Sequence, residues 1–376
     1  MLSQPPVWLI LIAFVCALGP LVFIHEMGHY LVARWFGVGA ETFSIGFGRE
    51  ITGWTDKRGT RWKVGWLPLG GYVKFIGDEH AASAPGDLSQ LTPEELERSF
   101  HHKPVWQRFL IVLAGPVSNF LLAIAIFAVF FASFGAPSSP PVIGEVQAES
   151  AAATAHIQPG DRILSIGGRE TATFEELRSF VVLRPGQTVT VRLQREQQVR
   201  DVRLTLGTDV EQDRFGQSYK RGLLGVTPAG VVFEPVPPLR LIPEATTYVV
   251  KLTRTILDAL WQIITGRRSV KELGGPLKIA QVAGQQATLG LVAFVSLVAL
   301  LSINLGFINL LPVPMLDGGH LLFYAIEAVQ RRPVSPRAQD WAFRGGLAFI
   351  LALLLLTTVN DLGSFGLWEG LGRLIG

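Results

Sequence analysis

A single cysteine, Cys16, occurs in 376 residues, so no disulfide framework can form and no zinc site can be assembled from thiolates. Any transition metal must be held by imidazole and carboxylate. Charge is also scarce: charged side chains make up 17% of the chain, and 33 basic against 30 acidic residues leave a net charge of only +3. That balance offers no basic surface for nucleic acid, and no nucleic-acid partner is expected. No basic segment precedes the first apolar run and no small-residue cleavage site follows it, so the run reads as a retained anchor rather than a signal peptide.

What the chain has in quantity is apolar surface. Hydrophobic residues account for 49% of it and the mean hydropathy is +0.36, too apolar for most soluble proteins and too polar for a pure bundle. Four stretches approach the roughly 20 residues a spanning helix needs: Val7–Phe36, Val105–Phe134, Leu289–Val313 and Trp341–Val359. Arg34, Arg49, Lys57, Arg58, Arg61, Lys63, Lys74, Lys103 and Arg108 lie between or beside the first two, and Arg331, Arg332, Arg337 and Arg344 lie around the connection between the last two. Excess Lys and Arg marks the cytoplasmic side. Both termini and the long segment between spans two and three then fall in the periplasm of a bacterial inner membrane. The fold class expected is a polytopic α-helical membrane protein with four transmembrane helices, a cytoplasmic-side membrane-associated β-hairpin region and an inserted periplasmic PDZ (α+β) domain. Its parts are a first half of the membrane core (1–135), the insert (136–210), a connector (211–288) and the second half of the core (289–376).

The hairpin is expected over Thr42–Phe75, where Trp54 and Trp62 flank a turn at Asp56-Lys57-Arg58-Gly59 and frequent glycines exclude a helix. The acidic segment after it reads as solvated loop with a short helix. The insert opens at the linker Ala136-Pro137-Ser138-Ser139-Pro140-Pro141. Its Pro159-Gly160-Asp161-Arg162-Ile163-Leu164-Ser165-Ile166-Gly167-Gly168 stretch resembles the Pro-Gly-Asp-x-Ile-x-x-Ile-x-Gly signature of bacterial PDZ domains. That resemblance makes Val142, Ile143, Gly144, Glu145 and Val146 the carboxylate-binding loop and its strand, where a peptide C-terminus could add to the sheet; the domain could equally serve as a steric cover. In the connector, Ile242, Ala245, Val249, Leu252, Ile256, Leu260 and Ile263 recur every three or four residues over 241–264, the stripe of a helix packed on the soluble domain or, as its place just before the third span favours, lying on the bilayer surface.

The chemistry concentrates in the first span. His25-Glu26-Met27-Gly28-His29 puts two imidazoles at i and i+4, on one helical face, where both can reach one Zn²⁺ while Glu26 acts on water. Ionisable groups in a membrane helix cost a few kcal/mol each, which a metal offsets. A catalytic zinc keeps three protein ligands and one open position, so a third must come from elsewhere. His25 lies roughly 27 Å along the helix from Val7, near the cytoplasmic end. The third span runs the same way and ends in Asn309-Leu310-Leu311-Pro312-Val313-Pro314-Met315-Leu316-Asp317. Two prolines break that helix, and broken backbone at membrane depth implies a pocket. Asp317 is therefore the expected third ligand, a plain helix cap being the alternative.

These residues resemble the site-2 protease family of intramembrane zinc metalloproteases. His25-Glu26-x-x-His29, Asn309-x-x-Pro312-x-Pro314 with Leu316-Asp317-Gly318, Gly70-Gly71-Tyr72-Val73-Lys74-Phe75 and Ala114-Gly115-Pro116-Val117-Ser118-Asn119 match it in order. The insert is similar to that of the bacterial RseP group, with one PDZ signature rather than two. The resemblance implies one zinc ion on His25, His29 and Asp317, Glu26 as general base and proton donor, and Asn309 holding substrate or oxyanion, although Asn309 could instead satisfy backbone freed by the prolines. It implies substrate binding along Gly70, Gly71, Tyr72 and Val73. Gly115 and Asn119 read as packing or pocket-lining groups, and His320 as a supporting residue. Expected substrates are single-span membrane proteins already cut at a first site, including anti-sigma factors and signal-peptide remnants. A non-proteolytic PDZ scaffold is the alternative, against which the intact Glu26 argues.

Overall fold

In chain order the computed structural model has α1 (Val7–Trp35), the paired strands β1 (Ala40–Thr55) and β2 (Arg61–Phe75), α2 (Pro93–Glu97) and α3 (Val105–Phe134). There follow β3 (Ala136–Ser138), β4 (Ile143–Val146), α4 (Ala151–Thr154), β5 (Arg162–Ile166), β6 (Arg169–Glu170), α5 (Phe174–Val182), β7 (Thr188–Arg195) and β8 (Gln198–Thr205). Next come β9 (Gly207–Gln212), β10 (Ser218–Leu223), β11 (Val226–Pro228), β12 (Val232–Glu234) and α6 (Leu241–Ile264). The chain ends in α7 (Pro276–Thr288), α8 (Leu291–Leu310), α9 (Asp317–Gln330) and α10 (Pro336–Ser364). The structure describes residues 5–78, 88–212, 218–267, 269 and 274–364. They form two units, one of residues 1–127, 245–261 and 268–376 and the other of residues 128–244 and 262–267.

Among the described residues, helices α1, α3, α8 and α10 are the four apolar segments long enough to cross a bilayer. The shortest, α8 with 20 residues, spans about 30 Å at the usual helical rise, enough for the hydrocarbon core. Their outer faces leave Trp8, Leu11, Ile12, Leu121, Val129 and Leu355 exposed, a surface suited to lipid and costly in water. The third span stops at Leu310, three residues before the expected Val313, because neither Pro312 nor Pro314 has an N–H to continue the ladder. A new helix, α9, starts at Asp317.

The hairpin forms where expected. Asp56 Oδ1 accepts the N–H groups of Arg58 and Thr60 at 2.8 and 3.0 Å, and its Oδ2 accepts Trp62 Nε1 at 3.0 Å. These bonds and the Arg58 and Trp62 partners hold the Asp56 carboxyl below the usual range. Gly59 supplies the positive φ of 88° that the turn needs, and Trp54 stacks on Trp62 with centroids 5.9 Å apart. Both strands are long and bent, so Phe43 of β1 is bracketed by Trp62 and by Val73 of β2. Phe43 is fully buried with Tyr30 and Val73, which fastens the hairpin to α1. The short helix α2 carries a capping box between Thr92 and Glu95.

Helix α7 was not foreseen. It packs mainly on α1, and its free N-terminal N–H groups at Gly275 and Lys278 bond to the carboxylate of Asp361, 3.1 and 3.0 Å away on α10. The cap is tertiary, so no local signal announces it. Helix α6 has the expected extent, but part of its apolar stripe is used within the protein: Ala245 and Val249 are buried, and Tyr248 meets Phe127 of α3 edge-on at 4.9 Å.

In the second unit, a four-stranded antiparallel sheet ordered β6-β5-β7-β8 shares a core with α5 through Ile163, Ile166, Val191, Leu193, Leu177 and Val181. The Arg195 guanidinium clamps Asp161 at 2.7 and 2.8 Å. Burial pushes the Asp161 carboxyl up, but Arg195 and the Gln158 N–H outweigh it and hold it below the usual carboxylate range. Two expectations need correction. The β-rich unit does not end at residue 210: β11 pairs with β4, and Leu224 joins the core. A three-residue strand that follows Gly225 and ends in Pro228 is too short for alternation to reveal. The strand carrying Val142, Ile143, Gly144, Glu145 and Val146 is also not open along its whole length. On one side Val146 pairs with Val226 and Ile143 with Pro228, and Ala229 N–H donates to Val142 O. On the other, Ile143 N–H donates to Asp161 O and its carbonyl accepts from Gly160 N–H. At Ile143 both backbone groups are used within the domain, so a peptide strand could not add to the ladder there.

Candidate metal centre

His25, Glu26 and His29 are buried together on α1. The Pro312–Leu316 break turns the chain back so that Asp317 enters in the first turn of α9, where the helix dipole favours a carboxylate. This return is tight. A side chain on Gly318 would strike the carbonyls of Leu310 and Leu311, and one on Gly319 would meet Val313 O and Pro314. Asp317 Oδ2 lies 3.1 Å from His25 Nε2 and 3.5 Å from His29 Nε2, and the two Nε2 atoms are 3.3 Å apart. Donors around a tetrahedral zinc with bonds of about 2.0–2.1 Å are separated by roughly 3.3 Å, so the three atoms already stand at ligand spacing. Asp317 Oδ2 is buried and without a hydrogen-bond donor, and no other group of three such side chains converges this way among the described residues. A buried carboxylate oxygen facing two imidazole nitrogens is costly unless a cation joins them. The donor set fits zinc.

The supporting residues come from α3. His29 Nδ1 is 2.9 Å from the Ile111 carbonyl, which can only accept, so Nδ1 carries the proton and Nε2 presents its lone pair. Gly115 makes room for the His29 ring, which a Cβ there would overlap. Gly28 lets α1 approach Ala114 and Ser118, and Ser118 Oγ donates to Ile24 O at 2.8 Å. Asn119 reaches His25 Nδ1 at 3.1 Å. Ile111, Gly115, Ser118 and Asn119 follow the i, i+4, i+7, i+8 pattern of one helical face. The Gly115-Pro116-x-x-Asn119 stretch was visible in the sequence, but only the α1–α3 contact turns it from packing into a support for both imidazoles.

Glu26 lies against the hairpin, with the Val73 N–H on the side of its carboxylate. Gly71 sits against the same side chain: a Cβ there would stand 3.1 Å from Glu26 Cγ and 2.7 Å from Ser44 O and Val22 Cγ1. Of the residues expected to line the substrate path, Gly71 and Val73 thus border Glu26, Gly70 adopts φ 131° beside Phe47, and Tyr72 stacks on Phe47 at 6.0 Å. Asn309 occupies the last turn of α8, partly exposed. His320 stands outside this three-donor cluster: its ring rests on Phe343 and Tyr324, with centroids 5.2 and 6.4 Å away.

The model of Peptidase family M50 matches residues 13–353 of the chain. The chain belongs to peptidase family M50. A curated relative from Agrobacterium fabrum, provisionally named a zinc metalloprotease, is 43% identical over 94% of this chain and 96% of its own length. Metalloprotease MmpA of Caulobacter vibrioides is 39% identical over 97% and 98% of the two chains. A PDZ domain of an SdrC-like protein from Listeria monocytogenes aligns with 24% of this chain and 87% of its own, at 19% identity and a TM-score of 0.19. As an M50 member the chain is a multi-pass zinc metalloprotease of the site-2 protease type, and its His25, His29 and Asp317 form a donor cluster that could hold a metal ion.

Proposed function

We propose that this M50 chain cuts the membrane-spanning segments of single-span proteins, and that one zinc ion on His25, His29 and Asp317 serves the reaction. The observation that carries the reading is the adjacency of three zinc donors to a fourth buried group, Glu26, that is not a ligand and faces a strand. A structural metal site has no use for such a base. Zinc bound there supplies a Lewis acid for the scissile carbonyl and lowers the pKa of water.

The chain's own residues do the rest. Glu26 takes the proton of the attacking water and passes it to the leaving amine, as a general base and then acid. The Val73 N–H steadies its carboxylate. Asn309, through its side-chain amide, donates to the developing oxyanion. A substrate helix must unwind to expose a peptide bond, and its freed N–H and C=O groups need partners in a dry site. The β2 segment Gly70–Phe75, paired through Val73 with Phe43 on one side, offers its other side for that strand.

Substrates on this reading are remnants of a prior first-site cut, such as anti-sigma-type proteins and signal-peptide stubs. The centre lies near the cytoplasmic face of a bacterial inner membrane, with the β-rich insert and both termini periplasmic. The insert acts as a gate against bulky ectodomains. The backbone bonds that Val142, Ile143 and Val146 already make within the domain favour this role over capture of peptide C-termini at that strand.

The test is Glu26→Gln against wild type, on a single-span reporter in detergent with zinc analysis alongside. Expected is retained zinc with cleavage reduced by about 10²-fold or more. Cleavage at the wild-type rate removes Glu26 from the mechanism.

A further inference from the structure

Asn119 is completely buried on α3, and its amide has an unresolved quarrel with the ring beside it. Nδ2 lies 3.1 Å from His25 Nδ1, while Oδ1 is buried with no partner. If Nδ2 donates, His25 Nδ1 must accept, and a neutral ring then carries its proton on Nε2. That is the atom facing Asp317 and His29, where a proton would block a metal. Rotating the amide by 180° exchanges nitrogen and oxygen at no steric cost. Oδ1 then accepts from Nδ1–H, and Nε2 is left with a bare lone pair.

The neighbouring ring argues for the second orientation. His29 Nδ1 faces the Ile111 carbonyl at 2.9 Å, a group with no proton to give. Ile111 and Asn119 are two helical turns apart on the same face of α3, so one helix would present an acceptor oxygen to each imidazole. The far side of Asn119 is anchored as well, since its backbone carbonyl accepts Ser302 Oγ of α8 at 2.7 Å. That bond ties the span bearing His25's partner to the span that leads into Asp317.

We infer that Asn119 is a positioning residue whose Oδ1 accepts the Nδ1 proton of His25 and so holds that ring in the tautomer, and at the angle, that offers Nε2 to the metal. The inference rests on His25 being a zinc ligand. It separates acceptor from donor chemistry at one atom, and Asp and Leu at position 119 report on it: an ionised Asp can only accept, whereas Leu can do neither.

The experiment measures zinc affinity of the full-length protein in detergent by competition with a chromophoric chelator, for wild type, Asn119→Asp, Asn119→Leu and His25→Ala. Asn119→Leu is expected to weaken zinc by about 10- to 100-fold, and Asn119→Asp to restore wild-type affinity. The visible bands of the cobalt(II)-loaded protein should shift in Asn119→Leu and return in Asn119→Asp. Wild-type affinity in Asn119→Leu, with His25→Ala impaired, overturns the positioning role alone. Wild-type affinity in His25→Ala overturns the zinc site itself. Should Asn119→Asp fail to fold, the ¹⁵N shifts of the His25 ring in wild type stripped of zinc decide: Nδ1 protonated is the expected state, and Nε2 protonated overturns the inference.

Discussion

Substituting Gly115 by alanine adds one methyl group and, by the geometry, should cost the protein its metal. The new Cβ would stand 2.9 Å from His29 Cδ2 and closer still to Cε1 and Nε2, where carbon contacts ordinarily settle at about 3.5–4.0 Å. The ring must therefore retreat by roughly 1 Å or α3 must move away. Coordination tolerates displacements of only about 0.2 Å, so a shifted His29 leaves two protein donors where a catalytic zinc needs three. Overpacking of this kind costs about 1–3 kcal/mol, a strain most folds survive, so the variant should be folded and metal-poor. Zinc affinity should fall about 10- to 100-fold or more, with cleavage falling alongside. The control is Gly19→Ala on α1, where a Cβ meets nothing within 4 Å; it should bind zinc normally. The assay is zinc content after equilibration in chelator-buffered zinc, paired with reporter cleavage. A Gly115→Ala protein that holds zinc as tightly as Gly19→Ala would refute the claim that α3 shapes the His29 position.

Three other expectations can be checked independently. Gly71→Ala forces a methyl against Ser44 O, Val22 and Glu26; displacing the strand from the base by about 1 Å should slow cleavage by up to roughly 10²-fold with zinc content unchanged, and zinc loss instead would show that the strand supports the metal. Asp361→Ala strips the α7 N-terminus of its acceptor, a loss of about 0.5–2 kcal/mol, read as faster hydrogen exchange at residues 275–279; unchanged exchange would mean the cap is idle. The depressed Asp161 pKa makes acid a probe of the insert. A carboxyl whose folded pKa lies below its unfolded value of about 3.9 adds stability above that value and loses it as pH falls through the folded one. Pepsin nicking of residues 156–162 should therefore rise as pH drops below about 3.9, and Arg195→Ala should bring it on at higher pH; identical profiles would discount the ion pair.

The spans, the turn at Asp56–Gly59, the Thr92–Glu95 cap and the pairing of His25 with His29 were legible in the sequence because each is decided by residues within a turn or two, or by simple length. The approach of Asp317 to the histidines was legible for a related reason: proline cannot continue a helix, and counting residues from each membrane face brought Asp317 to their depth. Tertiary structure alone decided the rest. β11 closes the second unit against β4 across some eighty residues of chain, Asp361 caps a helix that begins 86 residues earlier, and the face of α3 from Ile111 to Asn119 orients two rings on another span. Such pairings carry no period and no spacing, because hydrogen bonds and close contacts form between whatever groups the fold brings together. A sequence records which groups can bond, and only the packed chain determines which of them meet.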